Sequence, residues 1–205
     1  MKKKTSYFFI AIFLSITTYV HSQSFGLQVG SLIPVGQTAY SLKPGYGAEL
    51  NMLSGDIDDR LKFGFFLGYY KFKPTQDTFK TYTIQEGSGT QLLPGYEVIH
   101  KYGMGTAGFT GMFKIIDKNF SPMVGLDASA AIIVISEDDY AEGAISSSST
   151  NDTYWRFAIC PKAGASYQIK DNWLINAGVG FNMGFGNTGV QSYWKPFIML
   201  NYFFD

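Results

Sequence analysis

The sequence predicts an all-β chain that folds as an eight-stranded antiparallel up-and-down β-barrel and crosses a membrane with its strands. Eight segments alternate between apolar positions and polar or glycine positions, and this period of two is that of a strand with two different faces. Several segments have the roughly 9–11 residues that span a bilayer at a tilt. Aromatic residues gather at the segment ends, as they do where a barrel wall meets the two membrane surfaces.

The N-terminus has the features of a cleaved secretion signal. Residues 2–4 are lysines, residues 7–14 are almost wholly apolar, and the pattern read by a signal peptidase ends at Ser22. We expect residues 1–22 to be removed and Gln23 to become the new N-terminus. The alternative is a membrane anchor, but a spanning helix needs about 20 apolar residues and this run is shorter.

Residues 23–205 suffice for one domain, which we expect to be the barrel. The whole chain has 16 basic and 16 acidic residues, and three lysines fall in the predicted signal, so the remaining chain is mildly acidic. This balance argues against nucleic acid as a partner. Cys160 is the single cysteine, so the chain cannot form an internal disulfide framework.

The first three predicted strands each carry large apolar side chains on one face and glycine, amide or charged residues on the other. They cover residues 25–35, 46–52 and 61–72. The fourth predicted strand, residues 102–115, is rich in glycine, and its alternation does not show which face is apolar.

The other four predicted strands alternate clearly. They cover residues 120–135, 155–167, 173–186 and 194–204. The seventh, residues 173–186, alternates mainly large apolar residues with the glycines and asparagines at positions 176, 178, 180, 182, 184 and 186. In the eighth, Trp194, Ile198 and Leu200 share one face while Lys195 and Asn201 lie on the opposite one.

The predicted connections alternate in length along the chain. The longer ones are residues 37–44, 73–100, 137–153 and 187–193, and the short ones are residues 54–59, 117–119 and 169–172. Barrels of the bacterial outer membrane have short periplasmic turns and longer outer loops, so the alternation favours a membrane barrel over a soluble sandwich. A soluble lipocalin-like barrel, with its apolar face inside around a ligand, is the rival fold.

An aromatic girdle is predicted at each end of the wall, because these rings can contact lipid and headgroup water together. At the outer rim we place Tyr69, Trp155 and Trp194. At the periplasmic rim we place Phe120, Tyr167, Trp173, Tyr202 and Phe204.

With these features, residues 23–205 resemble the small eight-stranded outer-membrane barrels of the OmpA and OmpX type. The final strand is similar to the assembly signal of that family, with Tyr202 and Phe204 as its terminal aromatic residues and Asp205 as a departure from the pattern. The resemblance implies the outer membrane of a Gram-negative cell as location. It also implies outer-membrane lipid, lipopolysaccharide and the barrel-assembly machinery as partners.

Charged residues on the inward face predict a polar network in the lumen. Asp127 and Lys162 lie at similar heights on neighbouring predicted strands, and Glu49 could reach them across a narrow interior. Arg156 and Lys195 lie nearer the outer mouth, where we expect them to be solvated. The network could line a pore, but eight strands leave an interior just wide enough for side chains, which favours a plug.

Enzymatic chemistry has little support in the sequence. His100 beside residues 146–149, which are serines, could suggest a lipid A-modifying enzyme, but no orienting partner at a fixed spacing is visible. The acidic residues Glu137, Asp138, Asp139 and Glu142 lack the spacing of a calcium loop and are expected to face water. We therefore predict no enzymatic activity, no cofactor and no metal site.

Function is expected in the outer loops, chiefly residues 73–100 and 137–153. The first includes apolar residues among polar ones, and a short hairpin around Tyr82 and Val98 could form there and meet a protein partner. One hypothesis is a structural or surface-interaction barrel. The alternative is an accessory barrel in envelope assembly or protein secretion, and the sequence does not choose between them.

Overall fold

The computed structural model describes residues 23–75, 78–85, 91–116, 118–141, 147–187 and 189–204. The predicted signal peptide, residues 1–22, lies outside the described residues, and so does Asp205. Within the described ranges, no helix is long and apolar enough to cross a membrane.

Nine strands and one short helix account for most of the described chain. The strands are β1 (Gln23–Val35), β2 (Gly45–Ser54), β3 (Leu61–Phe72), β4 (Thr78–Gln85), β5 (Gln91–Lys114), β6 (Phe120–Ala141), β7 (Ser147–Lys170), β8 (Trp173–Gly186) and β9 (Gly189–Phe203). The helix, α1 (Thr38–Ser41), lies in the connection between β1 and β2.

Eight of the strands close into an antiparallel barrel. The order of hydrogen-bonded neighbours is β3, β2, β1, β9, β8, β7, β6 and β5, and a further pairing of β3 with β5 closes the ring. β4 stands outside the ring and pairs with β5. The predicted eight-stranded up-and-down barrel is therefore confirmed.

The pairing register staggers the ring by ten residues. If each cross-strand partner is followed around the ring from Phe25 of β1, the path returns to β1 at Val35, ten residues further along the strand. The successive partners are Met52, Phe65, Phe109, Ala128, Ile159, Met183 and Ser192. A stagger of this kind requires the strands to tilt against the barrel axis, and eight strands then enclose a lumen that side chains can fill.

The two ends of the barrel differ. The turn end carries the start of β1, the end of β9 and the short β7–β8 turn at Asp171 and Asn172. The loop end carries α1 and the hairpin of β4 and β5. At the loop end, Leu42 follows α1 and is buried in the mouth, where it forms an isolated β-bridge with Pro74.

Alternating burial assigns the inward and outward faces of the strands within the barrel. The glycine-rich fourth predicted strand, residues 102–115, is the lower part of β5, and Tyr102, Met104 and Met112 point inward. Large apolar residues cover the outward face. Examples that are at least 48% exposed are Leu27, Val29, Leu50, Leu67, Leu126 and Ile198.

Three of the predicted loops proved to contain strand, and in the last of them residues 189–193 belong to β9. The hairpin expected around Tyr82 and Val98 is confirmed, since Tyr82 pairs with Pro94 and Val98 pairs with Thr78. The prediction that residues 137–153 form a loop was wrong, because β6 continues to residue 141 and β7 starts at residue 147. Its serines and acidic residues are typical of loops, but pairing with the neighbouring strand satisfies the backbone there.

These strand extensions form a sheet that stands beyond the barrel at the loop end. We call it the projecting sheet and define it as β4 with residues 91–99 of β5, 137–141 of β6 and 147–150 of β7. The β5–β6 register shifts between Ile99 and Lys101, which makes His100 the extra residue of a bulge. Because a bulge bends its strand, the shift marks the boundary between barrel and projecting sheet.

Candidate functional site

The middle of the lumen holds four charged side chains in one buried network. The Lys162 ammonium lies 2.5 Å from the Asp127 carboxylate. The Lys195 ammonium lies 2.7 Å from Glu49 and 3.6 Å from Asp127. Two acids and two lysines thus alternate across the lumen, and their formal charges cancel.

Neutral partners complete the coordination of these charges. Glu49 accepts hydrogen bonds from Gln28 Nε2 at 2.6 Å and from the Tyr70 hydroxyl at 3.0 Å. Lys162 also donates to Thr110 Oγ1 at 2.7 Å. Charges removed from water need this kind of complete hydrogen bonding, because an unpaired buried charge costs several kcal/mol.

The structure brings together four of the five residues that the sequence placed in the network: Glu49, Asp127, Lys162 and Lys195. The expectation that Arg156 and Lys195 are solvated was wrong, since they are 7% and 3% exposed. The expectation placed each residue by its distance in sequence from the strand end, which ignores the tilt of the strands. The ten-residue stagger of the ring brings Lys195 to the same height in the lumen as Glu49. Arg156 instead donates to the Gly189 carbonyl at 2.8 Å, nearer the loop end.

Apolar layers lie on both sides of the charged network. Towards the loop end, the buried layer contains Leu32, Leu42, Tyr70, Phe72, Tyr102, Met104, Ala131, Ile133 and Tyr193. Towards the turn end, it contains Leu53, Met112, Met123, Phe197 and Met199. The inward aromatic residues were not predicted. Phe72 has the inward parity of its predicted strand and could have been found by it, whereas Tyr193 falls in a predicted connection that proved to be part of β9.

A cavity next to Glu49, Asp127 and Lys195 has a volume of about 10 Å³, which is room for about one water molecule. The Lys195 ammonium also lies 5.4 Å from the centre of the Phe66 ring, so the cation is enclosed on that side by an aromatic face.

The residues predicted for the aromatic girdle lie on the outward face. Exposed rings near the turn end are Phe120, Tyr167, Trp173 and Phe204, and those nearer the loop end are Tyr69, Trp155 and Trp194. Tyr202 is half-buried between two neighbours, with ring centres 5.0 Å from Trp173 and 5.1 Å from Phe204. Edge-to-face contacts of this kind fix the rings against the wall.

The projecting sheet has an unpaired edge. In the described part of the chain, β4 pairs with β5 through residues 78–85 and has no strand on its other side. On the opposite side, β7 pairs with β6 as far as Ser147, whereas its pairing with β8 extends only to Phe157. An unpaired edge presents backbone N–H and C=O groups in a row and can accept a further strand.

The weaker candidate sites fall in or near this sheet. His100 occupies the bulge where β5 leaves the barrel, and Glu137, Asp138 and Asp139 lie in β6 rather than in a loop. Glu142 and Ser146 lie outside the described residues.

Comparisons with known proteins support the fold. No protein-family model matches the sequence, and a search of curated protein sequences gave no significant match. Among solved structures, the chain is similar to surface protein A of Neisseria, with a TM-score of 0.52 and 13% identity over 88% of this chain and 96% of that one. It is also similar to a major outer membrane protein of Thermus thermophilus, with a TM-score of 0.55 and 12% identity over 90% of this chain and the whole of that one. At these identities the similarity shows the fold alone, and that fold is the eight-stranded barrel of small outer-membrane proteins.

Proposed function

We propose that this chain is a non-enzymatic barrel of the outer membrane of a Gram-negative cell, and that its projecting sheet recognises a protein partner outside the cell. The observation that carries the proposal is the unpaired β4 edge on a sheet that stands beyond the barrel. The turn end would then face the periplasm, and the loop end would face the surroundings of the cell.

The outward face supports membrane insertion. Large apolar side chains are exposed around the whole ring, and exposed aromatic rings lie towards both ends of this face. In water such a surface would associate or aggregate, whereas in a bilayer it is the surface that contacts lipid. The ring is closed, so that barrel backbone groups find their partners within the sheet, as hydrocarbon requires.

The interior supports a barrel that does not conduct. The charged network spans the middle of the lumen, and the apolar layers on either side leave a cavity for about one water molecule. Leu42 adds a further obstruction at the outer mouth, where the Lys43 N–H donates to the Lys73 carbonyl at 2.8 Å. A hydrated ion would have to displace several packed side chains to pass.

Recognition through the projecting sheet would use strand addition. A partner segment in extended conformation can continue the sheet beyond β4, with backbone hydrogen bonds supplying affinity and side-chain pockets supplying specificity. The short edge of eight residues limits non-specific pairing with other sheets.

Deletion of residues 75–97 tests this function. The remaining barrel keeps the β3–β5 pairing that closes the ring, so we expect the variant to assemble and to show heat-modifiable migration in gels. We expect it to lose capture of partner proteins from intact cells or secretions. Retained binding by the folded variant would contradict the proposal. A secretion defect without a binding defect would favour the accessory role instead.

Location and conduction need separate measurements. We expect the protein in outer-membrane fractions, where it should resist extraction by salt. Recovery as a soluble periplasmic protein would refute the outer-membrane location. In planar bilayers the folded protein should give no stable conductance of porin size.

A further inference from the structure

Three exposed lysines lie together at the loop end of the barrel, on the side formed by β2 and β3. Lys71 is an outward residue near the end of β3, and Lys73 follows it two positions later. Lys43 lies opposite Lys73, because its N–H donates to the Lys73 carbonyl at 2.8 Å and the adjacent Leu42 forms a bridge with Pro74. We call Lys43, Lys71 and Lys73 the lysine patch.

The backbone brings the three ammonium groups within reach of one small anion. Leu42 and Pro74 are buried, which leaves the lysines on either side of them on the outer surface. Residues two positions apart on a strand are separated by about 6.6 Å, and opposite residues of a strand pair have Cβ atoms about 5 Å apart. Lysine side chains are long and flexible. The three ammonium groups can therefore converge on a group of the size of a phosphate.

The lysine patch lacks an acidic partner in the part of the chain that the structure describes. None of its three ammonium groups forms an ion pair there. Like charges that stand opposite each other on paired strands repel, so a bound anion would stabilise this arrangement. Elsewhere on the rim, the cations next to Trp155 and Trp194 in sequence are Arg156 and Lys195, and both are buried.

Two tyrosines add hydroxyl groups beside Lys71. Tyr46 is the cross-strand partner of Lys71 on β2 and is 73% exposed. On β5 the partner of Lys71 is Gly103, and a Cβ atom added there would lie 2.5 Å from the Tyr69 hydroxyl. The absence of a side chain at Gly103 lets the Tyr69 ring lean over β5, with its hydroxyl at the height of Lys71. Phenol hydroxyls can donate hydrogen bonds to phosphate oxygens, so Lys71 stands between two neutral donors.

The position of the lysine patch on the wall favours a lipid as the source of the anion. Lys71 shares the outward face of β3 with Leu67 and Tyr69, each of which is 51% exposed. Towards the loop end, this face changes from aliphatic to aromatic to cationic. Hydrocarbon, interface and charged headgroup follow each other in the same order across one leaflet of a bilayer.

We propose that the lysine patch, together with Tyr46 and Tyr69, binds the phosphate group of a lipid headgroup in the leaflet at the loop end. The ammonium groups offset the charge of the phosphate, and the phenol hydroxyls donate hydrogen bonds to its oxygens. The acyl chains of the lipid lie along the apolar outward face of β2 and β3. This inference rests on the proposed membrane location, and it is independent of recognition by the projecting sheet.

Native mass spectrometry of the folded barrel in detergent, titrated with dihexanoyl phosphatidic acid, tests the proposal. Dihexanoyl phosphatidylcholine is one comparison, because its choline cation offsets the phosphate charge, and inorganic phosphate is the other, because it has no acyl chains. We expect phosphatidic acid to bind at least about tenfold more tightly than either. Equal affinity for phosphatidylcholine would overturn the proposal. Equal affinity for inorganic phosphate would also overturn it, because a free anion would then suffice.

Paired variants test whether the lysine patch is the site. K71Q/K73Q should weaken the binding of phosphatidic acid about 30-fold, since each lysine near a headgroup contributes a factor of about five. K118Q/K170Q is the matched control, because it removes two exposed lysines at the turn end and gives the same net charge. It should change the affinity by less than about twofold. Equal losses in the two variants would overturn the site, because net charge alone would then explain binding.

A conservative variant separates loss of charge from loss of structure. K71R/K73R keeps both positive charges and should retain the affinity for phosphatidic acid, and loss of binding comparable to that of K71Q/K73Q would overturn the proposal. Heat-modifiable migration in gels verifies that each variant is folded. A barrel that is recovered in the outer membrane but shows no preference for phosphatidic acid would refute this inference alone, whereas recovery as a soluble protein would refute the membrane location as well.

Discussion

Replacing Lys195 with methionine should destabilise the barrel more than replacing any exposed lysine. The substitution keeps most of the side-chain volume and removes the cation that lies 2.7 Å from Glu49 and 3.6 Å from Asp127. Asp127 retains Lys162, but Glu49 would keep only its hydrogen bonds from Gln28 and Tyr70. Removing one partner of a buried ion pair lowers the free energy of unfolding by roughly 3–5 kcal/mol. Because Glu49 keeps those two hydrogen bonds, we expect the loss to lie in the lower half of this range.

The measurement is reversible urea unfolding in detergent, followed by tryptophan fluorescence, with the free energy taken by linear extrapolation. K71M is the control, because Lys71 is exposed and should change stability by no more than about 0.5 kcal/mol. The double variant E49Q/K195M removes both charges and should recover most of the loss, since replacing a whole buried pair is often nearly neutral. A K195M variant within about 1 kcal/mol of the natural protein would refute the reasoning about the network.

Three further predictions follow from packing and exposure. G26A should lower the free energy of unfolding by about 1–3 kcal/mol, because its Cβ would collide with Asn201. G111A is the control and should be tolerated, because a Cβ added at Gly111 meets its nearest ring at an ordinary 3.6 Å. Thermal unfolding of the two variants compares these effects. Cys160 is 2% exposed, so it should resist iodoacetamide in the folded barrel and react after unfolding, as mass spectrometry would show. All three tryptophans are exposed on the outward face, so brominated lipids should quench their fluorescence in reconstituted protein; strong quenching by aqueous iodide instead would contradict membrane insertion.

The wall of the barrel could be predicted from the sequence because one face of every strand must be apolar. Strict alternation in residues 173–186 and 194–204 identified which side chains point inward, and the structure assigns the same faces. The fourth predicted strand could not be assigned, because glycine has no side chain and so carries no preference for either face. Its inward and outward faces are determined only by its pairing with β3 and β6.

The partners inside the lumen were harder to predict than the wall. The pairing of Asp127 with Lys162 follows from adjacent strands, but the contact of Lys195 with Glu49 depends on the stagger of the whole ring. Stagger is a property of all eight registers together, and no single segment encodes it. The same limit explains residues 137–153, where composition suggested a loop but the presence of a neighbouring strand decided the structure.

We expect the charged network to favour one register of the barrel as well. Because side chains alternate along a strand, sliding β9 by one residue would move Lys195 and Asn201 to the outward face. A lysine on the lipid face near the middle of a bilayer costs roughly 2–4 kcal/mol, and the slip would also leave Glu49 without its cation. Both penalties act on the C-terminal strand, which closes the ring against β1. We therefore expect the buried ion pair to favour the correct closure of the ring, and the K195M barrel to close less selectively and to be less stable.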